Sequence, residues 1–293
     1  MKTTSRDDLV KALDGYFHVD AAVEDGWETI FGVVYETPHW RPFVEPKWAQ
    51  CWNGLMLRGA DEVVRVATCV FPSDEIIARL APGTFLFTEH PLDDAAGDVF
   101  APWSRASFER MKRDGISVYV VHAPLDHHPD VSPSALLARS LGLTSCESYL
   151  PTARGIAGGS AVIGETDLDT ARLAARLQSV LGAEIPVRTV SSTKPANHRV
   201  AIVAGGGGEV AALDASLERG CTTYITGNAA SPCHIPFVRA IHDAFRRRAD
   251  EAGIVVIDGT HYGTEKPAQL AMLDWFRARG IDAQFEAGRP ERD

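Results

Sequence analysis

Short runs of β-branched and aromatic residues alternate along the chain with segments whose apolar positions recur every three or four residues. The helical segments begin with Ser, Asp or Pro and several end at Gly. This alternation predicts an open α/β sheet. The predicted strands are 62–71, 84–90, 116–126 and the later runs RVAIVA, TTYITGN and VVIDG, and the predicted helices are 74–80, 104–115, 132–142, 167–182, 235–253 and 267–280.

A glycine-rich stretch, PTARGIAGGSAVIGE at 151–165, interrupts this alternation. It predicts either a linker or the first hairpin of a second lobe. We therefore expect a first α/β lobe over residues 1–150 and a second over residues 151–293. The C-terminal helix could pack back on the first lobe.

Composition and charge exclude several classes of protein. The 293 residues are 45% hydrophobic and 23% charged, and the formal net charge is −10. An acidic surface repels phosphates, so no nucleic-acid partner is expected. No run approaches the roughly 18 apolar residues of a membrane helix, and the start lacks the apolar stretch of a secretory signal. We therefore expect no membrane partner and a cytoplasmic location. The five cysteines form no C-x-x-C pair, and their odd number argues against a complete disulfide framework.

Imidazoles and carboxylates follow three of the predicted strands where each strand ends. In open α/β sheets, ligands bind beyond the carboxyl ends of the strands. Neutral imidazole nitrogen and anionic oxygen are the donors that divalent ions take in proteins. If the strands are neighbours, the sequence predicts a metal site. The residues concerned are Glu89 and His90 after FLF, His122 and Asp126 after VYVV, and His261 and Glu265 after IVVID.

Each of these pieces also has a plainer interpretation. A single histidine after a strand is more often a hydrogen-bonded surface or core residue. On a helix, a His-x-x-x-Asp or His-x-x-x-Glu spacing is an ordinary neighbour pair. His127 and His128 follow Asp126 directly, and a solvated loop explains them better than a metal role does.

The run GGGG at 205–208 lies between a predicted strand and a predicted helix. Backbone N–H groups can contact an anion in such a turn. Val210 stands where G-x-G-x-x-G needs its last glycine, and no Gly-Lys-Ser/Thr ending follows. The run predicts a tight turn with close backbone packing, and contact with a phosphate is the alternative.

The order of these motifs resembles that of the Nif-three-like family, some of whose members are labelled GTP cyclohydrolase I type 2 homologues. HYGTE and HAPLD are the most specific pieces. The resemblance implies two α/β lobes with a dinuclear metal centre in the cleft between them, and a toroidal homohexamer. The matching stretches, within residues 52–276, are WNGLMLRGADEVVRVATCVF, FTEHPL, VYVVHAPLD, RVAIVAGGGGEVAALDASLERG, TTYITGN and VVIDGTHYGTE.

The resemblance also implies which residues bind the metals. Carried over by motif, the ligands are His90, Asp126, His261 and Glu265, with Glu265 bridging two ions. The family usually has two adjacent histidines where this chain has Glu89 and then His90. Glu89 either ligates in place of the histidine and favours Mn, Fe or Mg, or does not reach and leaves one site weak. We expect that it ligates.

A second departure follows the TTYITGN strand. The family usually shows an acid and a histidine pair soon after this strand. This chain has Asn228 and then AASPCHIP at that place, so we carry over no role from the family's acid and histidine pair.

The function implied is hydrolysis assisted by two divalent ions: Fe, Mn, Zn or, alternatively, Mg. Two such ions can lower the pKa of a shared water. The expected catalytic residues are Glu265, as a bridging carboxylate, and His122, as a proton shuttle or a group behind the ligands. The plainer interpretation of His122 is that it anchors a strand end. The expected partner is a small phosphorylated or heterocyclic, nucleotide-like substrate. The alternative is a non-catalytic metal-binding or regulatory ring protein.

Overall fold

The computed structural model describes residues 4–24, 39–91, 94–96, 99–190, 199–230 and 235–290. Strands and helices alternate along these residues, so the predicted α/β class is confirmed. Within these ranges, every helix is too short or too polar to traverse a bilayer. The strands are β1 (Thr4–Ser5), β2 (Gly54–Leu57), β3 (Glu62–Val63), β4 (Arg65–Cys69), β5 (Thr84–Thr88), β6 (Asp94–Ala96), β7 (Val99–Ala101), β8 (Ser117–Val120), β9 (Thr144–Tyr149), β10 (Ala161–Glu165), β11 (Arg188–Val190), β12 (Arg199–Val203), β13 (Thr223–Thr226), β14 (Val255–Asp258) and β15 (Ala283–Phe285). The helices are α1 (Arg6–Phe17), α2 (Trp48–Cys51), α3 (Asp74–Arg79), α4 (Arg105–Arg113), α5 (Ala123–Asp126), α6 (Pro133–Leu141), α7 (Thr170–Leu181), α8 (Val210–Leu217), α9 (Pro236–Ala252) and α10 (His261–Arg277), with a 3-10 turn at Arg41–Phe43.

The chain divides into two compact units whose limits differ from the lobes 1–150 and 151–293 expected from the sequence. Strand β9 pairs with β10, which draws the residues before position 150 into the second unit. Strand β15 pairs with β4, which returns the end of the chain to the first unit. The first unit comprises Met1–Leu125, Ala153–Ile156 and Gln269–Gly288, and the second comprises Asp126–Thr152, Ala157–Ala268 and Arg289–Asp293.

The sheet of the first unit has the strand order β15-β4-β5-β8-β2. The first four strands run parallel, and β2 is antiparallel to β8. Strands β5 and β8 are buried at every position, as parallel strands covered on both faces are. The register aligns Cys69, Thr88 and Val120 at the carboxyl ends of three neighbouring strands. The segments after these residues therefore leave the sheet at one edge.

Tryptophans dominate the core on one side of this sheet. The rings of Trp48 and Trp52 meet edge-on with centroids 5.2 Å apart, and Trp40 lies 6.2 Å from Trp48. The buried indole of Trp103 donates a hydrogen bond to the carbonyl oxygen of Pro72 at 2.9 Å. These large side chains bury apolar area that fixes the segments flanking β2 and β4.

The sheet of the second unit has the strand order β11-β14-β13-β12-β10-β9. Strands β12, β13 and β14 run parallel, whereas β9, β10 and β11 pair antiparallel to their neighbours. The register aligns Val203, Thr226 and Asp258 at the carboxyl ends of the parallel strands. Three loops thus begin side by side, at the edge where open α/β sheets bind ligands.

The last long helix starts earlier than the sequence predicts. Proline favours the first helical turn, so the sequence predicted a helix over 267–280 after a turn through HYGTE. Helix α10 instead begins at His261 and carries that proline in its interior. Thr260 caps the helix, because its hydroxyl oxygen accepts a hydrogen bond from the backbone N–H of Gly263 at 3.0 Å. His261 and Glu265 therefore lie in the first turns of a helix and not on a loop.

The predicted strand 116–126 is also too long. Strand β8 ends at Val120, and the HAPLD motif continues as a turn and the short helix α5. A short apolar run looks the same in a buried strand and in a short buried helix. Periodicity alone therefore could not show that the strand ends at Val120 and a helix follows. For the glycine-rich stretch 151–165, the sequence predicted either a linker or a hairpin. The antiparallel pairing of β9 with β10 agrees with the hairpin.

His242 gives the second unit a pH-dependent stability. The residue is 2% exposed on the inner face of α9. Burial, together with the charge of Arg246, lowers the pKa of its imidazole from 6.5 to about 4. The unfolded chain takes up a proton near pH 6.5 that the folded protein does not bind until about pH 4, so the free energy of unfolding falls as the pH drops through this window.

We expect His242→Gln to remove about 2 kcal/mol of this loss between about pH 7 and about pH 5. Urea denaturation at several pH values measures the effect. The control is His18→Asn, because His18 is exposed and asparagine tolerates the φ of 53° at that position. An H242Q variant with the wild-type pH dependence would contradict the assignment.

Candidate metal centre

Side-chain caps around Thr260 hold the turn between β14 and α10. Asp258, the last residue of β14, accepts a hydrogen bond from the backbone N–H of Thr260 at 3.0 Å. Thr260 has a φ of 60°, which is uncommon for a β-branched residue. Such strain persists where the surrounding contacts fix the backbone, and here it starts the helix at His261.

Helix α10 brings two predicted ligands into contact. His261 and Glu265 are one helical turn apart, and Nε2 of His261 lies 2.8 Å from Oε1 of Glu265. The Glu265 side chain is 5% exposed and the His261 side chain 15%. An imidazole nitrogen and a carboxylate oxygen that converge in this way can share either a proton or a cation.

Glycine at position 205 makes room for this pair. A Cβ atom there would lie 1.9 Å from Oε1 of Glu265 and 3.1 Å from Nε2 of His261. Gly205 also has a φ of 66°, a conformation that favours glycine. Its backbone N–H donates to the hydroxyl of Thr264 at 2.9 Å, which ties the glycine loop to the helix. This geometry agrees with the predicted tight turn and close backbone packing.

A second loop packs on the same helical turn. A Cβ atom on Gly227 would lie 2.6 Å from Cα of His261. Oδ2 of Asp258 accepts hydrogen bonds from the backbone N–H groups of Ala229 and Ala230 at 2.5 and 2.8 Å. Burial raises the pKa of Asp258 although these bonds oppose the shift. Sequence reasoning missed Asp258, whose only signal is an acid at the end of an apolar strand.

In the first unit, Glu89 and His90 follow β5 and make different contacts. Glu89 is buried, and its Oε2 accepts a hydrogen bond from the side-chain amide of Gln269 at 3.4 Å. The His90 ring stacks on Phe71 with centroids 4.3 Å apart. It also meets His122 edge-on, with centroids 5.1 Å apart. His90 and His122 are thus brought together.

A buried carboxylate orients His122. Oε1 of Glu24 lies 2.5 Å from Nδ1 of His122. The other oxygen accepts hydrogen bonds from the side-chain amide of Asn53 at 3.1 Å and from the backbone N–H of Ala123 at 3.2 Å. Asn53 in turn accepts the backbone N–H of His122 at 2.8 Å. A carboxylate bound to one ring nitrogen fixes the tautomer and the ring orientation, so Nδ1 carries the proton.

The charge balance at Glu24 favours its ionised form. Burial opposes ionisation, but the adjacent His122 and the hydrogen bonds to the carboxylate outweigh burial, so the pKa of Glu24 lies below its ordinary value. Sequence reasoning missed this residue because it is 98 positions from His122 and belongs to no motif. Asn53 was within a matching stretch, but its residue type gave no indication of this role.

Asp126, the remaining predicted ligand, ends α5 and belongs to the second unit. It lines a cavity of about 390 Å³ together with Arg139, Cys146 and Glu147. Small-molecule sites are commonly cavities of this size with a few polar groups. His261 and Glu265 are not among the residues that line it.

The two histidines after Asp126 are engaged in loop contacts. Nε2 of His127 accepts the backbone N–H of Thr152 at 3.1 Å, and the residue is 6% exposed. Its predicted placement in a solvated loop is therefore wrong, because the contact with Thr152 buries it. Nδ1 of His128 accepts the backbone N–H of Asp130 at 3.2 Å, a local contact typical of a loop.

Glu24→Ala should lower the free energy of unfolding by about 1–3 kcal/mol, because three donors lose their shared acceptor. Urea denaturation at neutral pH measures the change. The matched control is Asp20→Ala, whose carboxylate pairs with Lys47 at 2.5 Å on the surface, where the Asp20 side chain is 74% exposed. Exposed ion pairs contribute little, so this variant should resemble the wild type. Equal losses in the two variants would mean that the Glu24 contacts are no stronger than a surface pair.

Known proteins provide an independent comparison. Residues 40–287 match the Duf34/NIF3 (NGG1p interacting factor 3) family. A relative from Deinococcus radiodurans, a GTP cyclohydrolase 1 type 2 homolog, is 29% identical over 224 residues, which cover 73% of this chain and 75% of the relative. A protein with the same description from Archaeoglobus fulgidus is 27% identical over 236 residues, which cover 80% of this chain and 87% of the relative.

Solved structures share the fold. A Bacillus cereus protein related to NIF3 superposes with a TM-score of 0.63 at 13% identity, covering 100% of this chain and 99% of its own. The match to the family spans most of the sequence, including every motif that carries the candidate ligands. The chain therefore belongs to the Duf34/NIF3 family.

Proposed function

We propose that this protein is a metal-dependent hydrolase of a small phosphorylated or heterocyclic, nucleotide-like compound. The observation that carries the proposal is the His261–Glu265 pair, whose donor atoms lie 2.8 Å apart in a position that only glycine at 205 leaves open. Neutral imidazole and carboxylate are suitable donors for Fe, Mn or Zn, and Mg is the harder alternative. The local geometry thus fits a bound cation.

The proposed ligands of two divalent ions are the residues predicted from the sequence: His261, Glu265, Asp126, His90 and Glu89. When bound, the ions would lower the pKa of a shared water and polarise a substrate oxygen. The toroidal homohexamer and the cytoplasmic location stay predictions.

His122 and Glu265 have distinct proposed roles. Because Nδ1 of His122 is engaged by Glu24, proton exchange with a substrate would use Nε2. The hydrogen bonds to Glu24 would keep the ring in one orientation through turnover. Glu265 would be a carboxylate ligand beside the imidazole of His261, and its negative charge would offset the charge of the ions.

The names of the relatives support a nucleotide-like substrate, since they are described as GTP cyclohydrolase 1 type 2 homologs. The cavity beside Asp126, at about 390 Å³, has room for a group the size of a heterocycle. In the second unit, the carboxyl ends of β12, β13 and β14 lie side by side, so the three loops that follow them begin at the same edge of the sheet.

One contact favours a second candidate function, a non-catalytic metal-binding or regulatory ring protein. Glu89 stands where the family resemblance implies a histidine, and its carboxylate accepts a hydrogen bond from Gln269. A carboxylate held by an amide is a poorer donor to a metal than one directed at it. Under this alternative, one ion would be bound weakly and hydrolysis would be lost.

Purified protein should contain about two divalent ions per chain, and a chelator should abolish hydrolysis of a panel of nucleotides and phosphate esters. His261→Ala and Glu265→Ala should each lower metal content and activity by at least roughly tenfold, because each removes a direct donor. Elemental analysis and steady-state assays measure both. The control is Asp274→Ala, which removes a carboxylate of the same helix that is 85% exposed.

Activity that survives both ligand substitutions would contradict the proposal. The same assays on Glu89→His test the second candidate. A rise in metal content together with new activity would favour it, because Glu89 would then be the group that weakens the centre.

Gly205→Ala should displace the Glu265 carboxylate and weaken metal binding by roughly tenfold or more. The reason is steric, since the new Cβ would lie 1.9 Å from Oε1 of Glu265. The matched control is Gly206→Ala, where the nearest atom would be 3.6 Å away and no contact is displaced. Metal titration of both apoproteins measures the difference. Equal affinities would mean that the glycine cradle does not set the position of Glu265.

A further inference from the structure

A small open space lies beside His261, directly over Gly206. Gly206 is exposed, and a Cβ atom built on it would meet Cε1 of His261 at 3.6 Å and Nδ2 of Asn228 at 3.9 Å. These are ordinary contact distances, so the space is bounded by an imidazole on one side and an amide on the other. A group placed here would adjoin the proposed ligands.

The orientation of the Asn228 side chain is fixed by its other end. Oδ1 accepts a hydrogen bond from the backbone N–H of Gly208 at 2.7 Å. A backbone N–H can only donate, so the atom that faces Gly206 must be the NH₂ group. Asn228 is 7% exposed, and among the described residues its side chain makes no hydrogen bond besides the one at Oδ1. A buried side chain therefore directs a donor into this space.

The backbone around the space is also rich in donors. The glycine loop leads into α8, whose N-cap residue Glu209 makes no side-chain capping bond. Within the described part of the chain, the backbone N–H groups of Gly206 and Gly207 have no hydrogen-bond acceptor. A helix N-terminus carries partial positive charge, which favours an oxyanion over a cation.

We propose that Asn228 and the Gly206 backbone form a subsite for a phosphoryl oxygen of the substrate. The inference rests on the proposed function, because the nearby carboxylates of Glu265 and Glu209 would repel an anion unless a metal ion offsets their charge. It narrows that function to substrates with a phosphoryl group beside His261. Donors on one side and a cation on the other are what a phosphoryl oxyanion needs.

Asn228→Asp isolates the contribution of the donor. Aspartate keeps the shape and the oxygen that accepts from Gly208, but it replaces the NH₂ donor with a second oxygen. In Mn²⁺-loaded protein, the affinity for inorganic phosphate measured by calorimetry should fall by roughly tenfold to a hundredfold. Metal content should stay at or above the wild-type level, since the added carboxylate brings negative charge close to the cation.

Gly206→Ala provides a second, independent variant. Its methyl group would occupy the space without displacing a neighbour, so it should reduce phosphate affinity by a similar factor while metal binding is unchanged. Adenosine serves as the comparison ligand, because it has the heterocycle and no phosphoryl group. Its binding should be the same in the wild type and in both variants.

Three results would overturn the subsite. These are wild-type phosphate affinity in both variants, no phosphate binding by metal-loaded wild-type protein, or an equal loss of adenosine affinity, which would assign the donor to the heterocycle. Failure of the proposed function has a different signature, namely wild-type protein that binds no stoichiometric metal. The metal measurement on the same samples therefore separates the two failures.

Discussion

The first turn of α10 packs directly against two loops that have no side chains at the points of contact, and the geometry of the second unit's site follows from this packing. A methyl group at position 205 would collide with the Glu265 carboxylate, and one at position 227 would collide with the backbone of His261. Parallel strands bring these loops to one edge, and the Asp258 carboxylate fixes the second of them by accepting two consecutive backbone N–H groups. The close approach of the glycine backbone, fixed in part by Asp258, therefore sets where the imidazole and carboxylate meet.

Two carboxylate–imidazole pairs of the described residues, Glu24–His122 and Glu265–His261, have different surroundings. Glu24 receives hydrogen bonds from Asn53 and the backbone of Ala123 in addition to His122, so its oxygens serve to hold the fold. The His261–Glu265 pair lies within one helical turn, beside glycine residues that leave space around it. A carboxylate surrounded by donors orients its histidine, whereas one with space beside it can accept a cation. The same pair of groups thus orients a histidine in the first unit, and in the second unit it is the pair that we propose as metal ligands.

Much of the fold could be predicted from the sequence because burial leaves a strong local pattern. The apolar runs of β5 and β8 and the caps of α3 and α6 identify the alternation of strands and helices. The polar residues after the strands identify the candidate ligands for the same reason, since they interrupt apolar runs. The sequence prediction placed the start of α10 too late, at Pro267. The helix instead begins at His261, where the hydroxyl of Thr260 caps it, and Pro267 lies in its interior.

What the sequence could not reveal depends on contacts between distant segments. Glu24 and His122 are far apart in the chain, and no spacing rule connects them. The division into two units depends on which strand pairs with which, and the return of β15 to β4 is encoded in neither segment alone. In the sequence, Asn228 is an ordinary turn residue. Only the structure shows that its amide is oriented by the hydrogen bond from the N–H of Gly208.

The strained backbone of Thr260 has a consequence for how the protein can evolve toward heat resistance. Glycine would relax its φ of 60° but would discard the hydroxyl that receives the N–H of Gly263 and donates to the carbonyl of Pro290 at 2.8 Å. The glycine replacement thus exchanges torsional relief for two lost polar contacts, so it is not a clear gain. Lineages adapting to hot environments would therefore be expected to gain their robustness elsewhere in the chain and to keep this turn as it is.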